Sequence, residues 1–225
     1  MKKVIISALC LVISITNFGQ TKTNLSPDFF NRKVSFGIVT GIGQSVFKTT
    51  ESNWAQTNLR DTFNSVQSKN GLIVILGQEA KVKLNSFISY RQRILLNFES
   101  STLEFDTKKG GMQKLKLQNV VIAAPIHFMF QSNYEKYRPF IFLGSTLKYN
   151  LGQNKDVKDK FQIKPFDMTV DLGIGIEIKM KKFLIAPEIN FSKGLLNIQN
   201  NIGTSYSNTI SKLSRQNVLF TIAVR

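Results

Sequence analysis

The sequence predicts an all-β fold: an eight-stranded antiparallel up-and-down transmembrane β-barrel with short periplasmic turns and longer external loops. Three observations carry this expectation. Apolar and polar residues alternate with a period of two over long segments. The connections between those segments alternate in length. The chain opens with an export signal and afterwards has no apolar run of about 18 residues, so a barrel is the only spanning structure open to it.

The clearest segment is FDMTVDLGIGIEIKM, residues 166–180. Its even positions, from Phe166 to Met180, are all apolar. Its odd positions are Asp167, Thr169, Asp171, Gly173, Gly175, Glu177 and Lys179. A period of two means a strand with one greasy and one polar face.

The other strands follow in order. In KVSFGIVTGIGQSVF (33–47), Val34, Phe36, Ile38, Thr40 and Ile42 share a face. Residues 48–70 read as a polar loop that includes Trp54, an interface or lipid-contact residue in this reading. In 71–84 the alternation resumes, with Glu79, Lys81 and Lys83 on the polar face. A tight turn at Asn85–Ser86 leads to 87–105, where Arg91, Arg93, Asn97 and Glu99 oppose an apolar row. Strands over 114–130 and 138–152 flank a short link, and a basic loop fills 153–165. After the 166–180 strand and a Lys181–Lys182 turn come 183–194, a polar loop of about twenty residues, and 215–225. Pro125 and Pro187 each remove a ladder hydrogen bond, so bulges near the periplasmic rim are expected there. The connections run long, short, medium, short, medium, short, long, which places both termini in the periplasm.

The first twenty residues, MKKVIISALCLVISITNFGQ, have two lysines, an apolar run and a small and polar end, the pattern of a cleaved signal peptide. An irregular periplasmic lead-in (21–32) and the barrel (33–225) follow. The single cysteine, Cys10, lies within the signal, so the exported part has no disulfide and no thiol chemistry. The formal net charge is +16, which favours anionic partners. Export argues against nucleic acid and points to lipopolysaccharide phosphates or an acidic protein face.

Strand length and the charged faces decide what the greasy face meets. Fifteen residues at about 3.3 Å rise and about 40° tilt stand roughly 38 Å tall, more than the apolar band of about 25 Å. In a soluble barrel the apolar rows would have to converge on a narrow lumen. With lipid outside, Glu79, Lys81, Arg91, Arg93, Asp171, Glu177 and Glu188 pair inside, and glycines make room. The lumen is then a packed structural network rather than a pore.

Little in the chain suggests catalysis. His127, the only histidine, reads as a wall residue. Its catalytic alternative is the base of a lipid-A-modifying enzyme, which would place it on the lipid-facing wall beside a serine. With one histidine and no exported cysteine, a His/Cys metal site is excluded, and no catalytic residue or cofactor is expected. Neither Gly-Ile-Gly (41–43, 173–175) continues to a dinucleotide fingerprint. Lys155, Lys158, Lys160 and Lys164 make the densest basic loop, a candidate site for lipopolysaccharide phosphate or a partner, or simply a solvated loop.

NLSPDFFNRKVSFGIVTG (24–41), LQNVVIAAPIHFMF (117–130) with YRPFIFLGSTLKYNLG (137–152), and VDLGIGIEI (170–178) with FLIAPEINFSKGLLNI (183–198) resemble the outer-membrane β-barrel domain common in Bacteroidota. Within that group the lead-in and layout are similar to the PorT (SprT) proteins. The resemblance implies a non-enzymatic accessory or scaffold role in type IX secretion, which exports cargo and gliding adhesins, with other secretion proteins as partners. It carries no catalytic residues. A lipid-A-modifying enzyme, a lipocalin-like binder of a small apolar ligand and a small-solute porin remain open alternatives.

Overall fold

The computed structural model describes residues 32–52, 63–107, 111–134, 136–153 and 155–225. The expected signal peptide, the expected lead-in up to residue 31 and Trp54 lie outside them. Eight long strands form the wall: β1 (Val34–Glu51), β3 (Gly71–Lys83), β4 (Ile88–Thr107), β5 (Gly111–Gln131), β6 (Tyr137–Gln153), β8 (Phe166–Lys179), β9 (Leu184–Gly194) and β11 (Ile210–Val224). Three short strands, β2 (Phe63–Lys69), β7 (Gln162–Ile163) and β10 (Gln199–Asn200), and two short helices, α1 (Lys155–Lys158) and α2 (Ser205–Thr209), belong to the loops.

Each long strand pairs antiparallel with its neighbours in the sequence, and β1 closes the ring against β11, with Ile38 opposite Val224 and Thr50 opposite Lys212. The expected eight-stranded up-and-down barrel is therefore present. Closure leaves no open edge in the wall, as lipid requires.

The alternation acts as the sequence suggests. Outward residues form an apolar girdle, with Phe36 at 71%, Ile38 at 63% and Leu172 at 59% exposure. Inward, Arg91, Glu188 and Asp171 are buried. A water-soluble protein has the opposite arrangement, and a belt of this extent is stable only against lipid.

The short turns lie at one end, together with Val34 and Val224. In the first of them, Asn85 Oδ1 accepts from the backbone N–H groups of Phe87 (2.8 Å) and Ile88 (2.7 Å), so the side chain mimics a turn carbonyl. At the other end the strands overshoot the girdle. β5 has 21 residues, about 53 Å at 3.3 Å rise and 40° tilt.

Three expectations are corrected. Residues 48–70 are not all loop: β1 continues to Glu51, and β2 pairs with the outer part of β4, Val66 opposite Phe105. Polar side chains add to the apolar packing here: Phe47 N–H donates to Ser68 Oγ (3.0 Å) and Val66 N–H to Glu51 Oε1 (3.3 Å), while Phe47, Phe63, Val66 and Phe105 are buried together. The two loops at 153–165 and 195–214 also carry structure. They hold α1 and α2, β7 pairs with β10, and β11 starts at Ile210, ahead of the expected 215. Finally, neither proline makes a bulge. The β5–β6 register passes straight through Pro125 opposite Thr146, and β9–β11 through Pro187 opposite Ile222. The wall simply omits rungs there, between β4 and β5 and between β8 and β9. The shifts fall instead at Val120/Val121 and Thr50/Glu51.

Candidate functional site

The inward faces of four strands, β3, β4, β8 and β9, bring all seven charged residues of the expected lumen set inside the barrel, where each is buried. Nearest the short-turn end, Lys81 Nζ lies 2.5 Å from Glu177 Oε1 and donates to Gln131 Oε1 at 2.8 Å. Arg225 forks between Glu79 and Glu177. One step deeper, Arg93 Nε donates to Glu79 at 2.8 Å, and Arg93 also pairs with Glu188. Arg91 meets Glu188 at 2.6 Å, and Thr221 Oγ1 donates to Glu188 at 2.9 Å. Glu188 on β9 is thus the acceptor that two β4 arginines share across the lumen. Ion pairs survive burial only when each charge is compensated and its lone pairs are used.

His127 lies in the wall strand β5, opposite Arg91 of β4. Its ring points into the lumen, 1% exposed. Nδ1 lies 2.9 Å from Arg91 Nη2 and Nε2 lies 3.3 Å from Asp171 Oδ2. The ring packs on Phe142 with centroids 4.7 Å apart. Thr146 and Thr169 donate to Asp171 as well, Thr169 at 2.9 Å. Both imidazole nitrogens are engaged, so neither is left to activate a serine. The lipid-facing placement that the enzyme alternative needs is absent.

Above this network stands a second charged cluster, with Arg215 Nη1 at 3.1 Å from Glu99 and 3.9 Å from Asp167, and Lys148 buried close by. Beyond it the interior turns apolar. Phe47, Leu103, Phe105, Leu117, Phe161 and Leu213 belong to one cluster that fills the long-loop end. Phe105 packs edge-on to Tyr206 of α2 at 5.0 Å. Loop and strand side chains together cap the lumen there.

Space and glycine agree. A side chain at Gly173 or Gly175 would run into the Phe142 or Phe140 ring, so these glycines admit the aromatics to the lumen. The void at the short-turn mouth is about 40 Å³, lined by Arg32, Lys81, Glu177, Leu184 and Arg225 among others. It is far below the roughly 300 Å³ of a small-molecule pocket.

The basic loop does not converge on one spot. Lys158, Lys160 and Lys164 are exposed at the long-loop end, while the Lys155 side chain lies outside the described residues. Only Lys164 of these lines the neighbouring cleft of about 510 Å³, together with Asn197, Gln199, Asn201, Asn208 and Ser211. Among the described residues no three His, Cys, Asp or Glu side chains group as metal ligands.

Parity along the strands could have found Arg215 and Arg225, which share the inward face of Thr221. Lys148 was harder to see, because Phe140 and Phe142 on its face are apolar although they point inward.

Comparison with known proteins agrees with this architecture. The profile of the outer membrane protein beta-barrel domain matches residues 18–200. No curated protein matches the chain. Among solved structures, the outer membrane protein OprG from Pseudomonas aeruginosa is 11% identical with a TM-score of 0.47, and the match covers 88% of this chain and 96% of that one. Neisserial surface protein A (NspA) is 8% identical with a TM-score of 0.42, over 86% of this chain and 99% of that one. Ail, the attachment invasion locus protein of Yersinia pestis, is 10% identical with a TM-score of 0.35, over 84% of this chain and 96% of that one. With its profile matched over 18–200, the chain belongs to the outer membrane protein beta-barrel domain family and resides in the outer membrane.

Proposed function

We propose that this barrel is a non-enzymatic accessory or scaffold component of protein secretion, of the type IX kind, in the PorT (SprT)-like branch of the Bacteroidota family. The observation that carries the reading is the interior. Ion pairs fill it, an apolar cluster caps it, and its only histidine is bonded at both nitrogens. Among the described residues the lumen shows neither an open passage nor a free base, and a barrel filled in this way works through its surfaces. The exposed Lys158, Lys160 and Lys164 suit lipopolysaccharide phosphates at the outer surface.

The test is deletion in the native host. Loss of cargo export and of gliding, restored by the wild-type chain and by His127→Asn, supports the proposal. Intact export with an altered lipid A mass spectrum, restored by wild type but not by His127→Asn, would instead make the protein a lipid A enzyme.

A further inference from the structure

We propose that the lipid-facing wall carries a phospholipid site near its periplasmic end: an apolar trough for an acyl chain, with two turn lysines for the phosphate. The inference rests on the barrel and its orientation, not on a role in secretion.

The observation is a concavity in the girdle. Phe130, Ile141, Ile174, Ile189 and Phe220 stand opposite one another on β5, β6, β8, β9 and β11, and all face outward. Phenylalanines thus close both ends of the row. In the next row towards the short turns, Pro139 lies opposite Ile176 and Pro187 opposite Ile222. The two proline rings reach less far from the wall than a leucine or a phenylalanine. The β8–β9 ladder also lacks rungs at Ile176 and Glu177, where Pro187 has no N–H to offer. Ile176 and Pro187 are half-buried although they lie on the lipid face, whereas Leu172 on the same face of β8 is 59% exposed. With Phe87 and Gly175 these residues line an almost wholly apolar trough of about 810 Å³, which falls within the roughly 300–1,000 Å³ of ligand sites.

Hydrocarbon must fill a trough of this lining, and its lower end says which hydrocarbon. Tyr137, exposed and opposite Ile178, lies one outward position below Pro139. Exposed tyrosines at a strand end mark the membrane–water interface. Lys181 and Lys182 form the β8–β9 turn and are exposed, Lys181 five residues after Ile176 and Lys182 five before Pro187. That is about 13 Å of wall at 3.3 Å rise and 40° tilt. A chain lying in the trough therefore has its polar end at headgroup level, beside two ammonium groups. This is the layout of a phospholipid of the periplasmic leaflet, with its phosphate at Lys181 and Lys182. A second copy of the barrel, or an apolar helix of a partner, would fill the trough without placing a phosphate at its end. Against the rest of the girdle a lipid chain touches the wall along one side. In the trough it is touched beneath and at both flanks, so it gains more contacts there.

The test titrates the full chain, folded in detergent, with dioleoylphosphatidylglycerol and reads the complexes by native mass spectrometry. Wild type is expected to retain a single phospholipid. Ile176→Trp fills the trough and should weaken retention roughly tenfold. Lys181→Gln with Lys182→Gln should weaken it about threefold or more, and should leave retention of dioleoylglycerol, which has no phosphate, unchanged. The control is Leu76→Trp on β3, across the barrel, expected within about twofold of wild type. Folding is checked by the mobility shift on boiling, and Ile174→Phe serves if Ile176→Trp does not fold. Equal retention by wild type and the trough variant, or an equal loss in the control, overturns the proposal. So does phosphatidylglycerol binding that ignores the two lysines. A wild-type dimer that Ile176→Trp dissolves would assign the trough to a second copy and overturn it as well.

Discussion

The two halves of the lumen are lined by the same strands, yet they are filled by opposite chemistry. The periplasmic half is held by charges reaching across the barrel, from Lys81–Glu177 to the Arg91–Glu188–Arg93 bridge. The outer half is an apolar core that includes Phe47, Leu103, Phe105 and Phe161. Their neighbours explain the difference. Within the membrane the outer wall is lipid, so apolar residues are needed there and the inside takes the polar ones. Above the membrane the wall meets water on its outer face, and the loops supply α1, β7, β10 and α2 to pack inside. The same hydrophobic effect therefore points outward in one half and inward in the other.

That contrast can be broken from either side. The largest effect is expected at Glu188. Glu188→Ala leaves Arg91 and Arg93 buried without their shared carboxylate and lowers stability by about 3–5 kcal/mol, read from the urea midpoint of folding into vesicles. Phe105→Ala attacks the cap and costs about 3 kcal/mol. Its loss should fall on the outer end, so limited proteolysis near α2 speeds up while the mobility shift on boiling persists. Gly173→Ala pushes a methyl into the Phe142 ring in the charged half, with a cost of about 1–3 kcal/mol in the same urea titration.

The smallest effect belongs to Glu104, which sits on the outer wall above the girdle. Lys69 at 3.1 Å, joined by Lys114 at 3.2 Å, holds its carboxyl below the usual value. A lowered folded-state value means that the contribution is present at neutral pH and fades as pH falls through the carboxylate range. Because both lysines are mostly in water, Glu104→Gln should leave the melting temperature unchanged at neutral pH. A clear drop would mean that the outer wall carries ion pairs as strong as those of the lumen.

The eight wall strands were legible because period-two alternation survives on both sides of the bilayer, and residues 166–180 show it without a break. The lumen set was legible for the same reason, since each member sits opposite an apolar neighbour. What escaped was set by contacts distant in sequence. Phe140 and Phe142 turn inward because Gly175 and Gly173 on the next strand make room. His127 becomes a link only when β4 and β8 bring Arg91 and Asp171 to its two nitrogens. The β1 and β2 extensions are too polar to stand out, and they hold by bonds such as Thr49 to the Val66 carbonyl at 3.4 Å. Pro125 and Pro187 misled because a strand can lose rungs without shifting register.

A charged network below and an apolar cap above close the barrel along its axis. Planar-bilayer recording of the folded protein, its fold verified by the mobility shift on boiling, tests this closure most directly. No stepwise ion conductance is expected at any applied voltage. Steady, reproducible conductance steps from the wild-type barrel would contradict it and return the protein to the solute channels.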